Sequence, residues 1–264
     1  MAPTIKKITL TTQELNTNIS VNGFVFLPST KEVKTMALFT HGYTSHKSSV
    51  INWCMRLSEA GVACIVFDLP GHYLGTFSEL ESFDDFEKCA PNLFLRAYEC
   101  LAEQLAGQQL SEWNLVLGGH SLGALLALKA STLEGLNANK SQHIVCVGFG
   151  LPPRGLTHVF DTPFYKATLD MRRQLVSPAI NPDIMFPWIK DQKEQVKLTG
   201  KHIVLITGKD DVVVGKTGTE LLAEYLKEQG NEITLEKPNS LGHHLPENAA
   251  SHIKKALKDL ALLS

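Results

Sequence analysis

Ser121 sits in Gly119-His120-Ser121-Leu122-Gly123, a G-x-S-x-G pentapeptide. It falls where the apolar, β-prone run Leu115-Val116-Leu117 gives way to the helix-friendly run "LGALLAL". A sharp strand-to-helix turn presents such a serine with its hydroxyl exposed, and flanking glycines remove the Cβ clashes that would forbid the turn. The plainer alternative is a glycine-rich turn with an N-capping serine. A serine hydroxyl is a poor nucleophile near neutral pH, so catalysis there needs a positioned base and a third group to orient that base.

His243 and His244 are the candidate bases, in a loop that begins at Pro238 and precedes the last helical stretch. The glycine before His243 gives the backbone latitude to turn that ring inward, which favours His243. The acid belongs one strand earlier, where Asp210 and Asp211 directly follow "IVLITGK". Two adjacent acids cannot both face one imidazole, so the other is a solvated charge or a turn-capping group. The step from Asp211 to His243 is about one helix plus one strand, which returns both loops to the same sheet edge.

The elements that must position these residues follow from the hydrophobic pattern. "KKITLTT", "ISVNGFVFLP" (around a turn-like Asn22-Gly23) and "KTMALFTHG" read as strands, and "VINWCMRLSEAG" as a helix that stops at Gly61. "VACIVFDLPG" is an apolar strand, followed by a helical region over about 83–106, the strand "WNLVLGG", a helix over 121–132 and the strand "HIVCVGFG". After about 200 come "KHIVLITG", "TGTELLAEYLKEQG", "NEITLEKP" and "LPENAASHIKKALKDLALL", alternately strand and helix. The pattern predicts an α/β fold. Its central sheet is mostly parallel, of about eight strands, with helices on both faces and antiparallel strands at the N-terminal edge. Ligands of such sheets sit beyond the carboxyl ends of the strands, where the serine, the acids and the histidines all emerge.

Residues 150–200 break the alternation. They carry Pro152, Pro153, Pro163, Pro178, Pro182 and Pro187 and no clean β-α period, so short helices and loops are expected there. The predicted organisation is a single domain over 1–264 with this segment inserted as a small helical cap.

The bulk composition is that of a soluble globular protein, with 44% hydrophobic and 20% charged residues among 264. A net charge of −2 creates no field favouring nucleic acid or an anionic membrane. Cys54, Cys64, Cys89, Cys100 and Cys146 are odd in number and scattered without a CxxC pair, which predicts free, mostly buried thiols in a reducing compartment. The start lacks the apolar core of a signal peptide, and no stretch approaches a membrane span; a cytoplasmic location is expected. No metal-spaced His/Cys cluster occurs, and neither a metal nor an organic cofactor is expected.

Five pieces, "THGYTSHKS", "DLPGH", "GGHSLGALLAL", "TGKDDVVV" and "LGHHLPE", occur in this order and resemble the α/β-hydrolase superfamily over essentially the whole chain. The resemblance implies an acid at the D of G-x-x-D, here Asp211, and a histidine directly after a glycine, here His243. It also implies an oxyanion hole built from two backbone amides, those of Leu122 and Tyr43. His41 is then a structural loop residue and Asp68 a turn residue. The sequence departs from the superfamily's D-x-x-G-H-G after the fourth strand, where Tyr73 replaces the last glycine and Gly75 is displaced; that wall of the pocket is individual to this chain.

The expected function is a serine hydrolase cleaving a small-molecule carboxylic ester, or a thioester, through an acyl-enzyme on Ser121. Transfer or lyase chemistry with the same triad is the second reading, and a non-catalytic hydrolase-fold binding protein the third. Leu151, Phe160, Phe164, Met185, Phe186 and Trp188 either line an acyl pocket or pack the cap onto the body. Arg154, Arg172 and Arg173 are expected on a solvated helix face rather than against an anionic substrate.

Overall fold

The computed structural model describes residues 2–14, 17–30, 32–105, 112–137, 139–152 and 158–263. Eight strands form one sheet: β1 (Thr4–Glu14), β2 (Thr17–Leu27), β3 (Thr35–Thr40), β4 (Ala63–Phe67), β5 (Asn114–His120), β6 (Ser141–Val147), β7 (His202–Ile206) and β8 (Glu232–Glu236). Their spatial order is β1-β2-β4-β3-β5-β6-β7-β8. β2 runs antiparallel to both β1 and β4, and every pairing from β4 through β8 is parallel.

The continuous apolar runs of the inner strands are explained by two cores, one on each face of the sheet. Met36 and Leu38, Ile65 and Phe67, Leu115 and Leu117, and Ile203 and Leu205 point into one core. Ala37 and Phe39, Cys64 and Val66, Val116, and Val204 and Ile206 point into the other. Alternate side chains thus leave the pleat in opposite directions and both faces are buried, the condition under which a strand loses its polar positions.

The first core is covered by α2 (Phe83–Gln104), α3 (Leu122–Ala130) and α7 (Gly218–Glu228), the second by α1 (Ile51–Ser58) and α8 (Ala250–Asp259). Gly61, at φ 87°, follows α1 in the left-handed conformation that ends a helix, as its sequence position suggests. Ser82 and Asp85 form a reciprocal capping box at the start of α2. The predicted helices at 83–106 and 121–132 are shorter than expected by two residues or so at their ends.

The sequence expectation fails at Asn22-Gly23, which makes no turn. The pair lies inside β2, and β1–β2 pairing runs without interruption from Thr4↔Leu27 to Glu14↔Thr17. Pairing on both edges, with Val21 and Val25 buried in one core, holds the chain extended there and overrides the local turn preference.

Between β6 and β7 the described residues form a 3-10 turn at Val159–Asp161, α4 (Pro163–Lys166), α5 (Leu169–Gln174), a second 3-10 turn at Pro178–Ile180, and α6 (Pro182–Glu194). Pro163, Pro178 and Pro182 each stand in the first turn of a helix, where a missing N–H costs nothing. Met185 and Ile189 of α6 join the first core. Trp188 packs edge-on against Phe83 and Phe86 and donates its indole N–H to Glu87 at 2.9 Å. Phe164 points to solvent. Met185 and Trp188 therefore pack the segment onto the body, and Phe164 lines nothing.

Cys54, Cys64, Cys89 and Cys146 are buried and Cys100 is half-buried, and none of the five forms a disulfide among the described residues. Among the described residues, no helix is long and apolar enough to cross a membrane.

Candidate active site

β5 ends at His120, and the chain reverses through Ser121 into α3. Ser121 has φ 51° and ψ −108°, a positive φ that a non-glycine residue adopts only under constraint. Two things hold it there. Its N–H donates to Val147 O at the end of β6, at 2.9 Å. The backbone is also packed too closely for side chains on either flank: a Cβ on Gly119 would run into the Gly123 backbone, and one on Gly123 would lie 2.7 Å from the carbonyl oxygens of Thr40 and His41. Ser121 occupies the N-cap position of α3, but its side chain makes no capping hydrogen bond among the described residues.

The next strands bring the other groups to the same edge. Gly148 N–H donates to Ile206 O at 2.9 Å, which ties the end of β6 to the end of β7. Asp211 follows in the turn after β7, with its N–H donating to Gly208 O at 3.1 Å. Its Oδ1 accepts the backbone N–H groups of Val213 and Val214, both at 2.9 Å, and its Oδ2 lies 2.9 Å from His243 Nδ1. An ionised carboxylate only accepts, so Nδ1 carries the proton and the Nε2 lone pair is left for another donor. The His243 ring lies over Gly148, where an added Cβ would meet Nδ1 at 3.2 Å.

The doublets in the sequence separate cleanly. The side chain of His243 is 7% exposed, whereas His244 is an exposed residue. Desolvation, with the neighbouring His243 and Arg172, holds the His244 pKa below the ordinary imidazole value. Asp210 turns away from His243: its Oδ1 accepts Leu241 N–H at 2.7 Å and its Oδ2 accepts the Ser240 hydroxyl at 3.2 Å. It caps the turn that carries the histidine, and those hydrogen bonds lower its pKa.

His41 is fully buried and structural. Its Nδ1 donates to Gly42 O at 2.8 Å, its Nε2 accepts Leu69 N–H at 2.9 Å, and burial drives its pKa down to about 4. Asp68 is likewise engaged. It accepts Lys47 N–H at 2.8 Å, the Lys47 ammonium at 2.6 Å and the Thr76 hydroxyl at 2.9 Å. The displaced Gly75 stands against this carboxylate, which fills the space a Cβ would need. The loop carrying Tyr73 is in turn paired with the inserted segment, through Tyr73 N–H to Leu175 O at 3.0 Å and Ser177 N–H to Gly71 O at 2.8 Å.

Leu122 opens α3, so its amide has no intrahelical acceptor and lies at the positive end of the helix. Tyr43 is the third residue after β3; its phenol donates to Ile180 O at 2.8 Å, while no hydrogen bond among the described residues uses its amide.

Sequence reasoning assigned no role to His120. Its ring is buried, stands 4.8 Å from that of His243 and among the described residues has no hydrogen-bond partner on either nitrogen. Burial, with His243 beside it, holds its pKa well below the ordinary imidazole value. Arg172 was expected in solvent and is instead 8% exposed. The expectation does describe Arg173, which is exposed and pairs with Asp170 and Asp183. Arg154 lies outside the described residues. No group of three or more His, Cys, Asp or Glu able to hold a metal ion occurs among those described.

A mostly parallel sheet in this strand order, with a glycine-flanked serine at its central strand-to-helix turn, is the architecture of the α/β hydrolases. Residues 37–202 match the model of the Alpha/beta hydrolase family, and the chain belongs to that family. Solved structures agree in fold. A hyperthermophilic esterase from the archaeon Pyrobaculum calidifontis superposes with a TM-score of 0.66 at 18% identity, over 98% of this chain and 86% of that one. A thermostable carboxyl esterase from Bacillus coagulans gives 0.64 at 13% identity, over 99% and 98%. The acylaminoacyl peptidase of Pyrococcus horikoshii gives 0.61 at 11% identity over 98% of this chain, which spans only 42% of the peptidase. At such identities the likeness is one of fold alone. No curated protein matches the sequence.

Proposed function

We propose that the chain is a serine hydrolase that cleaves a small-molecule carboxylic ester, or a thioester, with Ser121 as nucleophile, His243 as base and Asp211 as the orienting acid. The observation that carries this is the 2.9 Å contact between His243 Nδ1 and Asp211 Oδ2, beside the strand end where Ser121 is held at positive φ. Ser121 Oγ attacks the carbonyl carbon while His243 Nε2 takes its proton. The amide N–H groups of Tyr43 and Leu122 stabilise the oxyanion that forms. Collapse expels the alcohol or thiol, which receives the proton from His243, and leaves the acyl group on Ser121. Water then attacks the acyl carbon, giving its proton to His243; collapse breaks the Ser121 Oγ–acyl bond, His243 returns the proton to Oγ, and the acid leaves. The pairing of Nδ1 with a carboxylate supports this cycle because it stabilises the imidazolium formed in both halves.

In this reading residues 1–264 are one hydrolase domain, and about 150–200 form a small cap over the site. Pairing of the Tyr73 loop with Leu175 and Ser177 supports the cap's place at that edge.

The test is labelling with a fluorophosphonate probe followed by assay on esters of graded acyl length. Labelling at Ser121 that is lost in Ser121→Ala, with ester turnover, is expected. Labelling that survives the substitution overturns the assignment, and labelling without turnover redirects it to transfer or lyase chemistry.

A further inference from the structure

Arg172 stands in α5 with an environment unlike that of its neighbour. Arg173 is exposed and has two carboxylates, Asp170 and Asp183. Arg172 is buried, and among the described residues it has no acidic partner. Its guanidinium lies over the Tyr165 ring at 4.9 Å and within 5.9 Å of the Phe186 ring. Among the described residues it makes two hydrogen bonds, both to hydroxyls: Nε to Thr168 Oγ1 and Nη1 to Thr44 Oγ1, each 3.0 Å. A guanidinium has five N–H donors, so among the described residues the Nη2 edge and one N–H of Nη1 have no acceptor.

A buried charge without a counter-charge is a costly arrangement. Two hydroxyls and two aromatic faces offset that cost in part, and they also hold the guanidinium plane in one orientation. The location gives the arrangement its meaning. Thr44, which accepts from Arg172, also donates to the carbonyl of Tyr43 at 2.7 Å and is itself held at φ 59°. The cation therefore sits one residue from the amide assigned to the oxyanion hole. Its charge acts on Tyr43 and on His244, where the Asp183 and Asp211 carboxylates respectively oppose it without contacting the guanidinium.

Resting on the serine-hydrolase reading above, we propose that the substrate is an ester whose acyl part carries a second carboxylate, and that Arg172 binds that carboxylate. A planar guanidinium with an open edge matches a carboxylate by two parallel N–H···O bonds. The missing counter-charge is thus brought by the substrate. A neutral ester of the same length leaves Arg172 unpaired, so the site discriminates by charge as well as by shape.

The experiment compares the monomethyl esters of succinic, glutaric and adipic acid with methyl esters of the monocarboxylic acids of equal chain length. At least one anionic ester is expected to exceed its neutral counterpart in kcat/KM by about tenfold or more. Arg172→Gln is expected to erase that preference by lowering kcat/KM for the anionic ester about tenfold more than for the neutral one, and Arg172→Lys to retain part of it. Absence of preference in the unmodified protein overturns the proposal. So does an equal loss on both ester series in Arg172→Gln, the outcome expected if Arg172 only positions the Thr44 loop. Should Arg172→Gln fail to fold, the preference of the unmodified protein and of Arg172→Lys decides the matter. A binding arm separates the two layers: thermal stabilisation of Ser121→Ala by glutarate, but not by butyrate, is expected even if Ser121 proves not to be a nucleophile. If the probe labels Ser121 and no charge preference exists, only the assignment of Arg172 fails.

Discussion

Asp211 divides its carboxylate between two tasks: Oδ2 meets His243 Nδ1 at 2.9 Å, while Oδ1 accepts the amides of Val213 and Val214. The two amides fix the carboxylate plane from the acid's own turn, so the oxygen offered to the imidazole does not depend on the histidine loop for its position. Asp210 ties the two loops together from the other side, through Leu241 N–H and the Ser240 hydroxyl. One acid orients the ring and the adjacent one anchors the loop that carries it.

These separate roles predict separate phenotypes. Asp211→Asn leaves the fold intact but allows the wrong imidazole tautomer, and is expected to lower kcat by about ten-thousand-fold. Asp210→Asn keeps an acceptor for Leu241 N–H and is expected to reduce kcat far less, by about tenfold at most. Steady-state ester kinetics on the two variants provides the check; equal losses would mean that the two acids are not divided in this way.

The histidines should divide as sharply. His243→Ala is expected to reduce kcat by about a million-fold, since in the proposed cycle it removes the base and the acid of both half-reactions. His244→Ala, which removes an exposed ring without a carboxylate partner, is expected to change kcat by no more than about threefold. A pH–rate profile that keeps its acidic limb in His244→Ala and loses activity altogether in His243→Ala would bear out the division.

The turn at Ser121 is limited by space as well as by backbone conformation. In Gly123→Ala the new methyl meets the carbonyl oxygens of Thr40 and His41 at 2.7 Å, and both belong to the end of β3 and its following loop rather than to movable side chains. A loss of about 3 kcal/mol in urea unfolding is expected. Ser121→Ala should be nearly neutral or stabilising by the same measurement, because it removes no hydrogen bond that caps α3.

Lys193 supplies a pH-dependent element of stability. Burial brings its ammonium pKa down from the ordinary 10.5 to about 8, against the opposing pull of the Asp211 carboxylate, and its Nζ lies 5.0 Å from the Phe149 ring centroid. The unfolded chain keeps this proton up to about pH 10.5 while the folded chain releases it near 8. Between those values the unfolded state binds more protons, so this group makes stability rise with pH, and below pH 8 its full cost is present. Lys193→Met is expected to stabilise the protein at pH 7 by an amount of order 1 kcal/mol and to flatten the rise above pH 8. Urea unfolding at pH 7, 8, 9 and 10 measures both effects.

Much of this molecule is determined locally in the sequence. Burial of both sheet faces imposes continuous apolar strands, so β3 through β7 are legible as runs such as Ala63–Phe67, and the helices between them as 3.6-residue patterns. Backbone constraint is legible as well: Gly119 and Gly123 announce the turn at Ser121 because no other residue fits there. Tertiary structure decided which of two equivalent neighbours faces the site, since Asp210 and Asp211, or His243 and His244, differ only in where the turn aims them. It decided that Asn22-Gly23 stays extended, because β1 and β4 pair with both of its edges. It also buried Arg172, whose helix α5 is too short to show a face in its sequence and whose partners, Thr44 and the Tyr165 and Phe186 rings, come from separate segments. Local pattern records the burial and the backbone freedom of a position; the direction of a side chain and the charge that surrounds it depend on residues distant in the chain.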